Sequence, residues 1–376
     1  MIYFDNSATT KPLQEVLESF HTVSESYYGN ASSVHRLGLE ASRILRKAHE
    51  QAGLLLNVNP EEIIFTSGGT EGNNLAIKGI AYAYQSRGKH IITSKIEHPS
   101  VLVACEFLAT QGFEITYLPV DQTGVVKVDD IKAALREDTI LVSIMHVNNE
   151  LGTIQPIKEI GALLSDRRYT FFHVDDVQGF GKVKLELKDN GIDLYTLSGH
   201  KIHGLKGTGL LYVKKQVRLA PLFHGGGQQF ERRSGTENLP GIVSLVKAMR
   251  VVTEYHLHHA EHIQQLNNKL RLELSHFPEV VINTIEDQAP HILNFSIPGF
   301  KPEVILHALT ERNIFVSTKS ACSSKKPDES AVLSAIQLPR AQSTSAIRVS
   351  FSYHNNEGEV ELFARVLKKI LKDLKK

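Results

Sequence analysis

The chain has 376 residues, 41% of them hydrophobic, with 42 Lys plus Arg against 41 Asp plus Glu for a formal net charge of +1. That is the composition of a globular protein long enough for one large domain and a smaller one, and its charge balance offers no surface for nucleic acid. No apolar run approaches a membrane span, no basic-then-apolar leader opens the sequence, and two cysteines, Cys105 and Cys322, are too few for a disulfide scaffold. Together these point to a reducing cytoplasm and to no membrane partner.

In chain order, Ser32 and Ser33 are placed to cap a helix whose apolar face recurs at Ala41, Ile44, Leu45, Ala48, Ala52 and Leu55, a period near 3.6 residues. Glu62 to Phe65 reads as a short strand, followed by a Gly-rich turn and a helix with Leu75, Ala76, Gly79, Ile80 and Ala83 on one face. Strands are expected at His90 to Thr93, Ile115 to Val120, Thr139 to Val147, Phe171 to Asp175, Asp193 to Leu197 and Gly209 to Val213. Such strand and helix alternation predicts an α/β domain with a largely parallel sheet. From Pro240 a long helix runs to about Phe277, followed by an extended segment near Ile292 to Ile297, a helix near Pro302 to Glu311, a strand near Ile347 to Ser352 and a Lys-rich final helix. The expected division is a large domain over 14–250 and a small α+β domain made of 1–13 and 251–376.

Three segments carry chemistry. Thr66-Ser67-Gly68-Gly69-Thr70-Glu71-Gly72 lies between a strand and a helix start, where successive backbone N–H groups and a helix N-terminus form a cup for a phosphate; the bland alternative is a plain turn. Asp175 ends an apolar strand, at the edge where open α/β sheets hold ligands, although most aspartates are simply solvated. Lys201 follows another strand end in Ser198-Gly199-His200-Lys201-Ile202-His203-Gly204. Taken singly it would be a surface lysine. Cup, carboxylate and lysine in this order suit pyridoxal 5′-phosphate (PLP): the amine forms an imine with the aldehyde, the carboxylate keeps the pyridine nitrogen protonated, and the cup anchors the phosphate.

These segments, with Asp5-Asn6-Ser7-Ala8-Thr9-Thr10, Glu97-His98, His146-Val147-Asn148-Asn149-Glu150-Leu151-Gly152, Arg233-Ser234-Gly235-Thr236, Ser320-Ala321-Cys322-Ser323-Ser324 and Ile347-Arg348, make the chain resemble the cysteine desulfurase family of the class V aminotransferase fold. The resemblance implies PLP-dependent fold type I, a homodimer, and a role for each matching residue. Gly69, Thr70, Ser198 and His200 would hold the phosphate region, and Thr236 would reach the partner subunit's cofactor. His98 would stack on the ring and assist proton transfers, Asp175 would meet the ring nitrogen, and Gln178 the phenolic oxygen. Asn149 and Arg348 would grip the substrate carboxylate, a role that the guanidinium's two-pronged fit makes sensible on its own. Two departures stand out. Asp176 occupies a position where the family usually has a small residue, and Ser350-Phe351-Ser352-Tyr353 lacks the Gly-Arg that some relatives carry after the arginine.

Cys105 sits in an apolar helical stretch and reads as a packed core side chain. Cys322 sits among Ser and Lys residues, where nearby positive charge favours the thiolate; alone it would be an incidental surface thiol. In this company it is the expected nucleophile. It would take sulfur from L-cysteine as a persulfide, release L-alanine, and pass the sulfur to an acceptor protein serving iron–sulfur assembly or tRNA thiolation. The competing readings are a class V aminotransferase or selenocysteine lyase on the same scaffold, and a non-catalytic sulfur carrier or scaffold. His258 and His262, spaced i, i+4, share a helix face with His256 and His259 nearby, but a solvated helix explains them equally well and no metal is expected.

Overall fold

The computed structural model describes residues 1–318 and 329–375. The chain opens with β1 (Ile2–Tyr3), α1 (Gln14–Ser26) and α2 (Arg36–Leu56). Helix α2 is capped by His35, whose ring accepts from the Gly38 N–H, and not by Ser32 or Ser33. The serines belong to a preceding turn, in which the Asn30 side chain accepts from the Ser32 N–H and its carbonyl from the Ser33 N–H. Side-chain hydrogen bonding of this kind competes with helix formation for the same backbone. Helix α1 was not among the expected elements.

The α/β region then runs through β2 (Ile63–Thr66), α3 (Gly69–Tyr84), β3 (His90–Ser94), α4 (Pro99–Ala109), β4 (Glu114–Leu118), α5 (Val128–Ala134), β5 (Thr139–Met145), α6 (Ile157–Leu164), β6 (Phe171–Asp175), β7 (Leu194–Ser198) and β8 (Gly209–Val213). Seven of these strands form one sheet in the order β2-β8-β7-β6-β5-β3-β4. Pairing is parallel from β4 through β7, while β8 lies antiparallel to both β7 and β2. Strands β3, β5, β6, β7 and β8 are buried along their whole length. This is why their sequences are near-continuous apolar runs with little alternation: helices cover both faces of the sheet.

After β8 comes α7 (Leu239–Ser275), a helix of 37 residues. Its first half, including Ile242, Leu245, Met249 and Val252, packs into the core beneath the sheet. Its second half, including Ile263, Leu266, Leu270 and Leu274, joins a separate core with Ile2, Phe4, Phe295, Ile347 and Phe363. The last third of the chain supplies β9 (Val281–Ile282), β10 (Ile292–Ser296), α8 (Pro302–Thr310), β11 (Ile314–Phe315), α9 (Ala331–Ala335), α10 (Arg340–Ser343), β12 (Ala346–Ser350) and α11 (Glu357–Leu374). The second core is built on β9, β10, α8, β11, β12 and α11, whereas Val332 and Leu333 of α9 pack with Ile96, Met145 and Leu151. Strands β12, β10 and β9 form an antiparallel sheet, and β1 pairs with β11. The first residues of the chain are thereby tied to its last third. Among the described residues, no helix is long and apolar enough to cross a membrane.

Candidate active site

The C-terminal ends of β2, β5, β6 and β7 and the loop after β3 open on one side of the large sheet. A cavity of about 160 Å³ lies there, lined by Gly69, Thr70, His98, Asn149, Asp175, Gln178, Ser198, His200, Lys201 and Arg348 together with Ser7, Ala8, Asn73, Ser100, Met145, Val147 and Val177. A crevice outside the carboxyl ends of parallel strands is where open α/β sheets bind ligands. Of the residues singled out in the sequence, Thr236 is exposed and does not line this cavity, and Cys322 lies outside the described residues.

At the cup, Gly68 has φ +149°, a conformation that disfavours side chains, and Gly69 begins α3. One turn on, a Cβ at Gly72 would sit 2.7 Å from Thr196 Cγ2, so only glycine lets α3 lie this close to β7. Glu71 accepts from the Ser67 N–H at 2.8 Å and from Arg233 Nε at 2.8 Å. Burial alone would raise the Glu71 carboxyl, but the hydrogen bonds from Arg233 and Ser67 outweigh it and hold the group below its usual range. The same pair ties the loop carrying Thr236 to the cup.

Asp175 is buried, and its Oδ1 accepts from the Val177 N–H at 3.0 Å. Its Oδ2 accepts from Asn73 Nδ2 at 2.7 Å. Burial pushes its carboxyl up to about 6 despite those donors, with the neighbouring Asp176 adding in the same direction and Lys201 opposing. Asp176 turns away from the cavity. It accepts from the Tyr195 hydroxyl at 2.7 Å and meets His146 Nδ1 at 2.5 Å, in a buried cluster behind the strand. Lys201 reaches the carbonyls of Ser7 and Ala8, which brings the N-terminal Asp5-to-Thr10 segment into the site. Gln178 donates to the Ser7 carbonyl at 3.0 Å, and its buried Oε1 finds no partner among the described residues.

His98 caps α4, its Nδ1 accepting from the Ser100 N–H at 3.2 Å. Burial, and then the Lys201 charge, lower it to about 4. His200, with Nδ1 3.2 Å from Thr9 Oγ1, is likewise lowered to about 4 by burial and by Lys201. Both rings are therefore neutral at physiological pH. Arg348 is 1% exposed, donating through Nη1 to the Asn149 carbonyl at 2.7 Å and through Nη2 to Asp5 Oδ1 at 3.0 Å. Among the described residues, its buried Nε has no partner. Cys105 is buried on α4, and burial drives its thiol up to about 12, leaving it inert.

Residues 2–363 match the family model described as aminotransferase class-V. The chain is 45% identical to the NifS/IcsS protein homolog of Lactobacillus delbrueckii subsp. bulgaricus, over 100% of this chain and 98% of that protein. It is 43% identical to the cysteine desulfurase IscS of Clostridium botulinum, over 99% of this chain and 94% of that protein. The chain belongs to the cysteine desulfurase family of class-V aminotransferases. Among solved structures, a NifS-like protein superimposes with a TM-score of 0.93 at 38% identity, covering 99% of both chains. SspA in complex with cysteine superimposes at 0.83 with 34% identity, covering 95% of this chain and 100% of that one.

The family's cofactor is PLP, and the cavity's donor set suits it. The buried Asp175 carboxylate faces the cavity, where it would meet a pyridinium nitrogen. The unpartnered Gln178 Oε1 and the glycine-lined helix start provide complementary polar and phosphate-sized contacts.

The sequence reading missed Asn73, Ser100, Asp5 and the Ser7 and Ala8 carbonyls. Asn73 carried a weak signal, being a poor helix former in the first turns of a helix whose other inward positions are apolar. The carbonyls carried none, because every residue has one.

Proposed function

We propose that the chain is a PLP-dependent cysteine desulfurase that converts L-cysteine to L-alanine and passes the sulfur, through a persulfide on Cys322, to an acceptor protein. The observation that carries this reading is the convergence of Lys201, Asp175, His98, Gln178, Asn149 and Arg348 on one cavity. Likeness to a structure described as a complex with cysteine supports the substrate. Gly69, Thr70, Ser198 and His200 would hold the phosphate, Asp175 would pair with the ring nitrogen, Gln178 would meet the phenolic oxygen, and His98 would stack on the ring. When bound, PLP supplies an electron sink for the substrate's Cα.

The rest falls to the chain's own groups. Arg348 and Asn149 seat the substrate carboxylate, the guanidinium held in place by Asp5 and by the Asn149 carbonyl. Lys201 Nζ takes the proton from Cα and returns one as the product forms. His98, held neutral by burial and the Lys201 charge, assists these proton transfers. The Cys322 thiolate attacks the substrate sulfur. An S–S bond forms as the Cβ–S bond breaks, Cβ keeps that electron pair and gains a proton, and L-alanine leaves. The enzyme works in the cytoplasm as a homodimer, with Thr236 reaching the partner subunit's cofactor.

Alanine and sulfide released from L-cysteine are measured for wild type, Lys201→Ala and Cys322→Ala. Wild type forms both products with a reductant present, Lys201→Ala forms neither, and Cys322→Ala binds PLP but transfers no sulfur to an acceptor. Sulfur transfer by Cys322→Ala at the wild-type rate would overturn the assignment of the thiol.

A further inference from the structure

Asp175 and His98 stand on different elements, yet one hydrogen-bonded bridge joins them. Asn73, 1% exposed on α3, donates from Nδ2 to Asp175 Oδ2 at 2.7 Å and to Ser100 Oγ at 2.8 Å. Its amide is therefore oriented by the carboxylate: the opposite orientation would set Oδ1 against an anionic oxygen at hydrogen-bond distance. Ser100 Oγ, having accepted from Asn73, has its own proton available for His98 Nδ1, 2.8 Å away. The Ser100 backbone N–H donates to the same nitrogen at 3.2 Å. Two donors thus converge on Nδ1: Asn73 donates outward to both Asp175 and Ser100, and Ser100 donates onward to His98.

We propose that Asn73 and Ser100 are positioning residues that lock His98 as the neutral, Nε2-protonated tautomer and tie that choice to the orientation of the Asp175 carboxylate. This rests on the reading of His98 and Asp175 as cofactor contacts and adds to it the device that sets them. Reversing the bridge would let Ser100 donate to Asn73 and accept from His98, putting the imidazole proton on the wrong nitrogen for the cavity. Burial and the Lys201 charge keep the ring neutral, so tautomerism is the freedom left to fix. Among the described residues, the buried Oδ1 of Asn73 has no partner. Both of the amide's protons are committed while its acceptor stays unused, which is the cost of donating to both neighbours.

The test is the tautomer itself. Histidine-selective 15N labelling and solid-state NMR report which His98 nitrogen carries the proton in the full-length protein, both loaded with PLP and stripped of it; His98→Gln identifies the signal. Wild type is expected to be Nε2-protonated. Asn73→Ala frees Ser100 Oγ to accept, and the Nδ1–H to Nε2–H ratio rises about fivefold or more, the effect of one hydrogen bond. Ser100→Ala shifts the ratio the same way, and Ser100→Thr, which keeps the hydroxyl, restores it. With circular dichroism unchanged, ratios within twofold of wild type in both alanine variants would overturn the proposal, as would an Nδ1-protonated wild type. Should Asn73→Ala fail to fold, the Ser100→Ala and Ser100→Thr pair decides alone. A wild-type protein that takes up no PLP would instead sink the reading of the site, and the tautomer comparison on stripped protein would remain valid.

Discussion

Replacing Asp175 by Asn should stabilise the PLP-free protein while disabling it. The carboxylate sits in the interior with an ionisation midpoint of about 6, against 3.8 for the unperturbed group, and burial is the main cause. A gap of roughly two pK units costs the folded state about 3 kcal/mol once the group is fully ionised. Because the folded midpoint lies above the unfolded one, stability is fully present below pH 3.8 and declines as pH rises through about 6. Asparagine removes the ionisation cost, but its amide cannot accept from both Asn73 and the Val177 N–H, a loss of about 1 kcal/mol. At pH 8 the variant should therefore lead wild type by about 2 kcal/mol; at pH 4.5, where the penalty has fallen to about 1 kcal/mol, the two should unfold together. Urea unfolding of PLP-free protein, followed by far-UV circular dichroism at both pH values, measures this. Steady-state assays should show activity reduced by about 10²-fold or more, since the ring nitrogen loses its anionic partner. A stability gap at pH 8 no larger than at pH 4.5 would refute the reasoning, because it would mean that the carboxylate is not held at a cost for the cofactor.

Two further outcomes follow from the same geometry. Arg348→Lys keeps the charge but loses the fork that spans Asp5 and the Asn149 carbonyl; KM for L-cysteine should rise about tenfold or more with a smaller change in kcat, and an unchanged KM would exclude a carboxylate-binding role. Lys182 Nζ is sealed from solvent with no hydrogen-bond partner among the described residues, and burial, then Lys201, lower it to about 7 from 10.5. Protonating it costs the folded state, so wild-type stability should climb between pH 7 and 10.5. Lys182→Met should be the more stable protein below pH 7, with that lead vanishing at high pH, as denaturation at pH 6 and pH 10 will show.

The sequence by itself determined the α/β alternation, the long helix near Pro240 to Phe277, and many of the polar residues around the cavity, Asp175, Lys201 and Arg348 among them. Those signals are local: apolar runs mark buried strands, and a Gly-rich strand-to-helix turn, a strand-end aspartate and a strand-end lysine lie within a few residues of the elements that place them. Only the tertiary structure decided what depends on contacts between distant segments. The antiparallel course of β8 is one such feature, since a buried strand has the same composition in either direction. The direction of Asp176 is another: pleating turns it from the cavity towards His146 and Tyr195, a burial environment no neighbouring residue announces. Asp5 and Arg348 are brought together from opposite ends of the chain. Asn73, Ser100 and Asp175 likewise come from three separate elements, and hydrogen bonding among buried groups is set by the fold's packing, which periodicity does not encode.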